Sequence, residues 1–457
     1  MTARTINIQG AQDMRAVKLA EWSASVVDIP AEVKAFSFLV VMDAVSCALA
    51  GLDNAGSVAA RAVAIELWGD GGSSIWFTGD KASAHGAAFA NAMATSILDY
   101  DDGHRMAEGH LAAAMVPAVL AEAEEIGANA DRVLTAIAIG YEVATRIAKS
   151  RDPKTVLTGA SGRWCGQGVV AAIGWLRGDD AMTIANAMAL TDTIAPYAMA
   201  TEDTQVGNHV KEAIPDGTKN GLEKLVAARN GMLGPIDFLD RDRFDGGVIS
   251  RDVAGGWYIE TTYFKPYSCC RWIHALLDAL LVQRNLVKDW YDVKEITVGT
   301  FERTLTLNNQ HKPKTLQSAQ YSVPFCLASA AIYGAACLQP IKAELLSDPR
   351  VLALAEKVKV KVDADLEAVY PNETSGRVTI SVDGGPSPDT VYVEIARGDS
   401  RNPMTFEERV EKLRRCGDGV LSDHEMKSLE GALIALRNEE QIAPLLKCIS
   451  TKRQKNG

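Results

Sequence analysis

Alanine-rich apolar stretches with helical spacing fill the first half of the chain, from about residue 12 to residue 255. The clearest of them are residues 31–52, 83–98, 111–127 and 130–150. Apolar side chains recur there every three to four positions, which indicates α-helices, and alanine favours that conformation. Several stretches are apolar on nearly every face, so they must be buried on all sides. The sequence therefore predicts a large helical bundle with a deeply buried interior.

The pattern changes after about residue 256, where short strand-like segments occur among helical ones. These segments are residues 294–301, 358–365, 376–385 and 390–397. We predict a mainly α protein with an all-helical domain over residues 1–258 and a smaller α+β lid domain over residues 259–403. Residues 404–457 become helical again, and their pattern alone is compatible with either domain.

Charge and cysteine content exclude several classes of protein. The chain has a formal net charge of −11 and no basic stripe with interleaved aromatic residues, so we expect no nucleic-acid partner. A net acidic protein that binds an anion must concentrate its cations locally. The eight cysteines are scattered without C-x-x-C spacing, which favours reduced thiols in a cytoplasmic protein. The sequence predicts neither a signal peptide nor a membrane-spanning segment.

The segment from Leu98 to His110 is polar although it lies between two apolar helices. Its acidic and imidazole side chains are Asp99, Asp101, Asp102, His104 and His110. Polar connections between apolar helices often line a cleft, and Asp with His supplies proton donors and acceptors near neutral pH. A solvated loop with helix caps is the alternative interpretation.

Two further segments place cations among apolar neighbours. Lys211 follows His209 in a region otherwise rich in Ala and Met, and such a lysine can bind a carboxylate or act as a base when desolvated. Ser268 can cap a helix on which Arg271 and His274 share one face. Anions bind readily at helix N-termini, although polar pairs within the helix explain the same spacing.

Known catalytic motifs are absent from the sequence. It contains no H-E-x-x-H, no phosphate-binding G-x-x-x-x-G-K-[ST] and no G-x-S-x-G. Adjacent Cys269 and Cys270 lack further cysteines at iron–sulfur spacing. We therefore predict a site without metal or cofactor that works with side-chain acids and bases.

Ordered blocks along nearly the whole chain resemble the MmgE/PrpD family. They include HGAAFANAMATSILDYDDGH, GYEVATRIA, AARNGMLGP, YFKPYSCCRWIHALLDA and TLQSAQYSVPFCLASAAIYG. The resemblance implies a large helical domain and a smaller α+β lid. It implies that the final helices return to the large domain. It also implies a homodimer, no general need for cofactors, and activity as a 2-methylcitrate dehydratase, cis-aconitate decarboxylase or iminodisuccinate epimerase.

The family pattern assigns candidate residues in this chain. Its acidic loop and loop histidine fall on Asp99, Asp101-Asp102 and His110, its lysines on Lys211 and Lys265, and its remaining positions on Tyr141, Arg146 and His274. By spacing alone, Tyr141 and Arg146 point to different sides of one helix, which favours a structural role.

Three departures from the family pattern affect the functional assignment. Gly103 replaces the Thr that follows Asp-Asp in dehydratase-like members, and Leu111 replaces the usual Pro after the loop histidine. The stretch from Gly162 to Gly166 lacks the usual mid-domain histidine. Its Trp-Cys-Gly, together with Cys269-Cys270, resembles the fungal itaconate-forming decarboxylases, which keep that histidine.

We therefore expect a metal-independent lyase that acts on a small di- or tricarboxylate, first as a 2-methylcitrate dehydratase and alternatively as a decarboxylase or epimerase. The candidate catalytic residues are His110, Asp99, Lys211, Lys265 and His104. The candidate substrate-binding residues are Tyr141, Arg146, Arg271, His274, Asp102 and Arg163. A magnesium-dependent diphosphate enzyme and a non-catalytic binding protein are more remote alternatives.

Overall fold

The computed structural model describes residues 10–152, 158–199, 205–383, 387–438 and 441–453, and these form a mainly helical protein. The helices are α1 (Arg15–Ser25), α2 (Ala31–Gly51), α3 (Ala55–Trp68), α4 (Ala84–Ser96), α5 (Ala112–Ile126), α6 (Ala130–Ser150), α7 (Cys165–Arg177), α8 (Ala181–Thr193), α9 (Ile214–Arg229), α10 (Gly246–Ile249), α11 (His274–Gln283), α12 (Leu316–Gln320), α13 (Val323–Tyr333), α14 (Pro349–Ala355), α15 (Ala364–Val369), α16 (Phe406–Gly417), α17 (Asp423–Arg437) and α18 (Ala443–Ser450). The strands are β1 (Ser73–Ser74), β2 (Lys81–Ala82), β3 (Val293–Thr300), β4 (Val358–Val362), β5 (Gly376–Val382) and β6 (Val391–Val393).

Close packing of small residues holds the helical region together. Helices α4, α5, α6, α7 and α9 pack against one another, and nearly all of α5 and α6 is buried. A side chain at Gly168 on α7 would meet the main-chain oxygen of Gly140 on α6 at 2.5 Å, so the two backbones touch because neither residue has a Cβ. The prediction of a buried bundle made from alanine-rich helices is confirmed.

A four-stranded sheet in the order β4-β3-β5-β6 accounts for the α+β part of the fold. Strand β3 pairs parallel with β4 and antiparallel with β5, with Ile296 opposite both Val358 and Ile380. Helix α11 packs on β5 and β6, and its buried face covers the apolar side of the sheet. The mainly α class with a smaller α+β region is therefore confirmed.

The C-terminal helices contact the N-terminal ones. Helix α16 packs against α2, and the main-chain N–H of Phe77 donates to the carbonyl of Ile449 on α18 at 2.6 Å. The domain boundaries near residues 258 and 403 stay a prediction. The two-residue pair of β1 and β2 is an addition to the helical region that the sequence pattern does not indicate.

Helix α2 is 21 residues long and apolar enough to cross a membrane by length and composition. However, 72% of its apolar window is buried inside the protein, where it packs against α4, α6 and α16. This burial is typical of the core helix of a folded domain. All eight cysteines lie in the described part of the chain and are free thiols, as their spacing predicted.

Candidate active site

A cleft with about 830 Å³ of space, part of it open to solvent, lies where the polar segments of the sequence meet. Some residues of the segments 99–110, 263–272 and 370–374 line it, together with Gly159, Glu212, Arg303 and Tyr321. Of the predicted residues, Asp99, His104, His110, Lys265 and Arg271 line this cleft. Segments far apart in sequence thus share one cavity.

Asp99 is the centre of a buried ionic cluster. Lys265 Nζ lies 2.9 Å from Asp99 Oδ2 and 3.0 Å from its main-chain oxygen, and Lys211 Nζ bonds to Oδ1. His110 Nε2 lies 3.4 Å from the same Oδ1. Asp99 itself has a left-handed backbone, with φ +51°. One carboxylate therefore contacts three nitrogen groups that come from three segments of the chain.

Each charged group in this cluster stabilises the ionised form of its oppositely charged neighbours. Burial opposes the ionisation of Asp99, but the Lys211 and Lys265 ammonium groups hold the pKa of its carboxyl well below the usual range. Burial likewise opposes the two lysine charges, yet the Asp99 carboxylate keeps the pKa values of both lysines above their ordinary value. Both lysines are therefore protonated at neutral pH, which makes them sources of positive charge and poor bases.

His110 is held as a proton donor. Its Nδ1 lies 2.8 Å from the main-chain oxygen of Asp102 and 3.0 Å from Asp101 Oδ2. Because a carbonyl oxygen only accepts, Nδ1 bears a hydrogen, and Nε2 is the nitrogen left to exchange a proton beside Asp99. Burial lowers the affinity of the ring for a proton, but the Asp101 carboxylate prevails and raises the pKa of His110 to about 10.

His104 has the opposite character. Its Nε2 lies 3.1 Å from the Tyr258 carbonyl oxygen and 2.8 Å from Thr261 Oγ1. Its Nδ1 is buried and has no hydrogen-bond partner among the residues that the structure describes. Burial lowers the pKa of His104 to about 3, so the ring is neutral. Since Nε2 donates to the carbonyl, Nδ1 bears a lone pair and can act as an acceptor.

The side chains of Asp102 and Tyr141 do not line the cleft, and their role as substrate contacts stays a prediction. Asp102 Oδ1 accepts from the Ala112 N–H at 3.1 Å, at the start of α5, and Oδ2 accepts from the Tyr141 hydroxyl at 2.9 Å. Thr262 donates to that hydroxyl at 2.7 Å. Burial, with the nearby Asp101 carboxylate, raises the pKa of Asp102 to about 7. Helix capping, the alternative interpretation of the loop, is therefore correct for Asp102.

Arg146 and His274 are also placed away from the lining. Arg146 Nε donates to Glu142 Oε1 at 2.9 Å one helical turn earlier, and its guanidinium lies 4.2 Å from the centre of the Trp22 ring. His274 is fully buried, with Nε2 3.2 Å from the Cys269 carbonyl oxygen. Arg146 NH2 is buried and has no hydrogen-bond partner among the described residues. A role of Arg146 and His274 in substrate binding stays a prediction.

Arg163 and Lys211 do not line the cleft within the described ranges either. Arg163 donates to the Ala195 carbonyl at 3.2 Å. The Lys211 ammonium is turned inward, to Asp99 and to the Tyr321 hydroxyl at 2.9 Å. Lys211 is thus a partner of Asp99 inside the cluster. In this arrangement its ammonium does not face the cleft.

The turn that presents Lys211 is conformationally unusual. Lys211, Glu212 and Ala213 have φ angles of 46°, 52° and 53°, three consecutive left-handed residues of which none is glycine. A side chain at Gly162 would meet the Ala213 carbonyl oxygen at 2.2 Å, so the turn packs directly on the backbone where the family histidine is missing. Strain of this kind is kept at functional sites by the surrounding contacts.

Glu212 and Tyr321 line the cleft without having been predicted. Glu212 Oε2 accepts from Ser161 at 2.7 Å through the hydroxyl and at 3.1 Å through the main-chain N–H. Tyr321 accepts from Lys211 and lies 3.4 Å from Asp99 Oδ1. The only signal for Tyr321 was its place in the block TLQSAQYSVPF, directly before Ser322, which caps α13.

A chain of alternating charges links two arginines of the cleft. Arg105 NH1 lies 3.8 Å from Glu373, and Glu373 accepts two hydrogen bonds from Arg401, at 2.7 and 2.8 Å. Arg401 Nε also lies 3.1 Å from Asp399, which in turn lies 3.5 Å from Arg271 NH2. The chain joins the acidic loop to the segment after β6. It fixes the positions of Arg105 and Arg271 before any substrate binds.

Asp99, Asp101 and His110 also meet the distance criterion for a metal site, because one ligand atom from each lies within 4.8 Å of the others. Their electrostatics do not suit a cation. The Asp99 oxygens already contact two ammonium groups, and His110 retains its proton up to a pKa of about 10. A bound divalent ion would have to displace these positive groups.

Comparisons with known proteins give two findings. The MmgE/PrpD N-terminal domain model matches residues 17–251, and the MmgE/PrpD C-terminal domain model matches residues 267–435. The chain is also similar to the cis-aconitate decarboxylase-like protein oryM of Aspergillus oryzae. The two sequences are 23% identical over 93% of this chain and 94% of that protein.

Proposed function

The chain belongs to the MmgE/PrpD family, and from this premise we propose that it is a lyase that decarboxylates a small polycarboxylic acid in the cleft around Asp99. The observation that best supports this reaction is the protonated state of the cluster. Lys211, Lys265 and His110 all have raised pKa values, so the site offers acids and positive charge at neutral pH. Decarboxylation requires a proton donor and no base for a C–H bond.

Binding of the substrate is assigned to the cations that face the cleft. These are Lys265, Arg105, Arg271 and Arg303, gathered in a protein whose net charge is −11. Arginine matches a carboxylate with two parallel hydrogen bonds. Several carboxylates of one small molecule would therefore be held at the same time, which favours a di- or tricarboxylate over a monocarboxylate.

The proposed step is the loss of carbon dioxide followed by protonation. The bond between a carbon atom and its carboxylate breaks, CO₂ leaves, and the electron pair stays on the carbon skeleton. The Lys265 ammonium stabilises the developing negative charge. His110 Nε2 then delivers its proton to carbon, and solvent returns a proton to the ring. An unsaturated tricarboxylate such as cis-aconitate is the first substrate to test, because the relative from Aspergillus oryzae has that name.

Dehydration in the manner of 2-methylcitrate dehydratase is the second candidate, and epimerisation requires the same kind of group. Both reactions need a base to remove a proton from carbon. The unpartnered Nδ1 of His104 and the Glu212 carboxylate are the acceptors that support this alternative. The low pKa of His104, about 3, makes it a weak base, which is why we rank decarboxylation first.

Proton NMR in D₂O tests the proposal directly. The enzyme is incubated with cis-aconitate, trans-aconitate, citrate, 2-methylcitrate and iminodisuccinate in turn. A decarboxylase places deuterium in the product alone, whereas a reversible dehydratase or an epimerase also washes deuterium into recovered substrate. Dehydratase labelling would replace the first candidate by the second. No turnover of any of these acids would favour the non-catalytic alternative.

Activity is expected to survive removal of metal ions. The acidic cluster is neutralised by lysines and a protonated histidine, so catalysis should not depend on a divalent cation. Turnover is measured after dialysis against EDTA, with and without added magnesium, zinc or iron. Loss of turnover that one metal restores would contradict this expectation and favour a metal-dependent enzyme.

We also propose that two copies of the chain associate through the helical region. Helix α3 exposes apolar side chains to solvent, namely Val58 (41%), Val63 (39%), Ile65 (43%) and Leu67 (63%), and Val63 and Leu67 lie one helical turn apart on the same face. Clusters of this kind commonly mark protein interfaces. Light scattering should report a dimer at micromolar concentration, and a variant with Val63→Lys and Leu67→Lys should be monomeric. A monomeric wild-type protein would rule the dimer out.

A further inference from the structure

The geometry points to Lys412, on helix α16, as a positioning residue. It fixes the position of Asp99 relative to Lys265, the ion pair at the centre of the proposed site. This inference rests on the proposed function. Lys412 is separated from both members of the pair by more than a hundred positions in sequence, and within the described residues it does not line the active cleft. Lys412 acts by binding the main chain of the two segments that carry Asp99 and Lys265.

Every hydrogen of the Lys412 ammonium is used. Nζ donates to the main-chain oxygen of Tyr100 at 2.7 Å, to the main-chain oxygen of Lys265 at 3.1 Å and to Asp43 Oδ1 at 2.7 Å. An ammonium has three N–H donors, so the group is fully satisfied. The residue is 4% exposed, and Nζ lies 4.0 Å from the centre of the Tyr100 ring.

The two carbonyls belong to the two segments whose side chains must meet. Tyr100 directly follows Asp99, and Lys265 pairs with Asp99 through its own ammonium. One nitrogen atom therefore fixes the main chain on both sides of the ion pair. Displacement of a catalytic group by about 1 Å can cost roughly 100-fold in rate. Loss of the Lys412 ammonium should allow displacements of this kind.

Asp43 offers a matched control because it is the third partner of the same ammonium. Asp43 lies on α2, is buried, and contacts neither catalytic segment through the bonds described above. In Asp43→Asn the amide oxygen can still accept from Lys412, and both main-chain bonds can persist. In Lys412→Met the side chain keeps its length and loses all three bonds. Both variants remove one charge of the same buried pair and leave the other charge unpaired, and Lys412→Met additionally removes the donor to the two main-chain carbonyls.

Hydrogen–deuterium exchange tests the inference independently of any substrate. Lys412→Met should speed amide exchange in residues 98–104 and 263–268, whereas Asp43→Asn should leave these two segments near the wild-type rate. Equal exchange in the two variants, or no change in Lys412→Met, would overturn the inference. Because this measurement needs no turnover, it stands even if the proposed reaction is wrong.

Kinetics then separate positioning from simple loss of folded protein. With the substrate identified by NMR, and well below the melting temperature of each variant, Lys412→Met should lower kcat about 10- to 100-fold with KM changed less than about threefold. Asp43→Asn should keep kcat within about threefold of wild type. A Lys412→Met enzyme with wild-type kcat per folded molecule would show that Lys412 contributes to stability alone.

Discussion

Replacing His110 with asparagine is expected to lower kcat by about 10²–10⁴-fold, the usual contribution of a positioned general acid. The asparagine amide can still donate to the Asp102 carbonyl that now accepts from Nδ1 at 2.8 Å, so the loop is preserved. The proton on Nε2 is lost. The exposed His424 provides the matched control, because His424→Asn removes an imidazole that does not line the cleft and should leave kcat unchanged.

The pH dependence of the wild-type enzyme checks the same assignment. His110 has a pKa raised to about 10, so its acid form is complete at neutral pH and disappears as pH rises through about 10. The rate should therefore be level near neutrality and fall on the alkaline side, and His110→Asn should lose this alkaline limb. Activity above one tenth of wild type in His110→Asn would mean that another group delivers the proton.

Replacing Asp99 with asparagine is expected to abolish measurable turnover and to destabilise the fold by about 3–5 kcal/mol, the usual result of removing one partner from a buried ion pair. Two buried ammonium groups and an imidazolium share this carboxylate. Backbone strain does not explain the loss, because asparagine tolerates the left-handed conformation that Asp99 adopts at φ +51°.

A double variant distinguishes charge from packing as the cause of that loss. Adding Lys265→Met to Asp99→Asn removes one of the unpaired ammonium groups, so the double variant should recover part of the stability that the single one lost. Urea denaturation of the wild type and of the three variants gives the four free energies of unfolding. If the second substitution simply adds its own destabilisation, the two side chains are not coupled as the 2.9 Å contact implies.

The helical bundle and part of the site were predictable because their signals are local. Small residues at helical spacing indicate helices that can approach closely, and α6 and α7 do so where Gly140 contacts Gly168. Polar residues between apolar helices identified Asp99, His104 and His110, and the start of α11 identified Arg271. In each case the chemistry of neighbours in sequence was enough to predict a residue that lines a cleft.

The remaining site residues have no such local signal. Arg146, assigned to the site by resemblance, does not line the cleft, and its local signal was structural, because Glu142 stands four positions before it on the same helix face. Tyr321 and Lys412 reach Asp99 and its neighbours from distant parts of the chain. The orientation of Glu212 depends on a left-handed backbone that no residue type in the turn predicts.

At the turn from Lys211 to Ala213, substitutions that raise the melting temperature are expected to lower catalytic activity. A non-glycine residue held at positive φ costs of the order of 1–3 kcal/mol, and glycine adopts the same conformation without this penalty. A screen that rewards only a higher melting temperature should therefore favour glycine at position 212 or 213. Yet Glu212→Gly would delete a cleft carboxylate, and added freedom at the turn would make the position of Lys211 beside Asp99 less precise. Thermal robustness and turnover would then move in opposite directions.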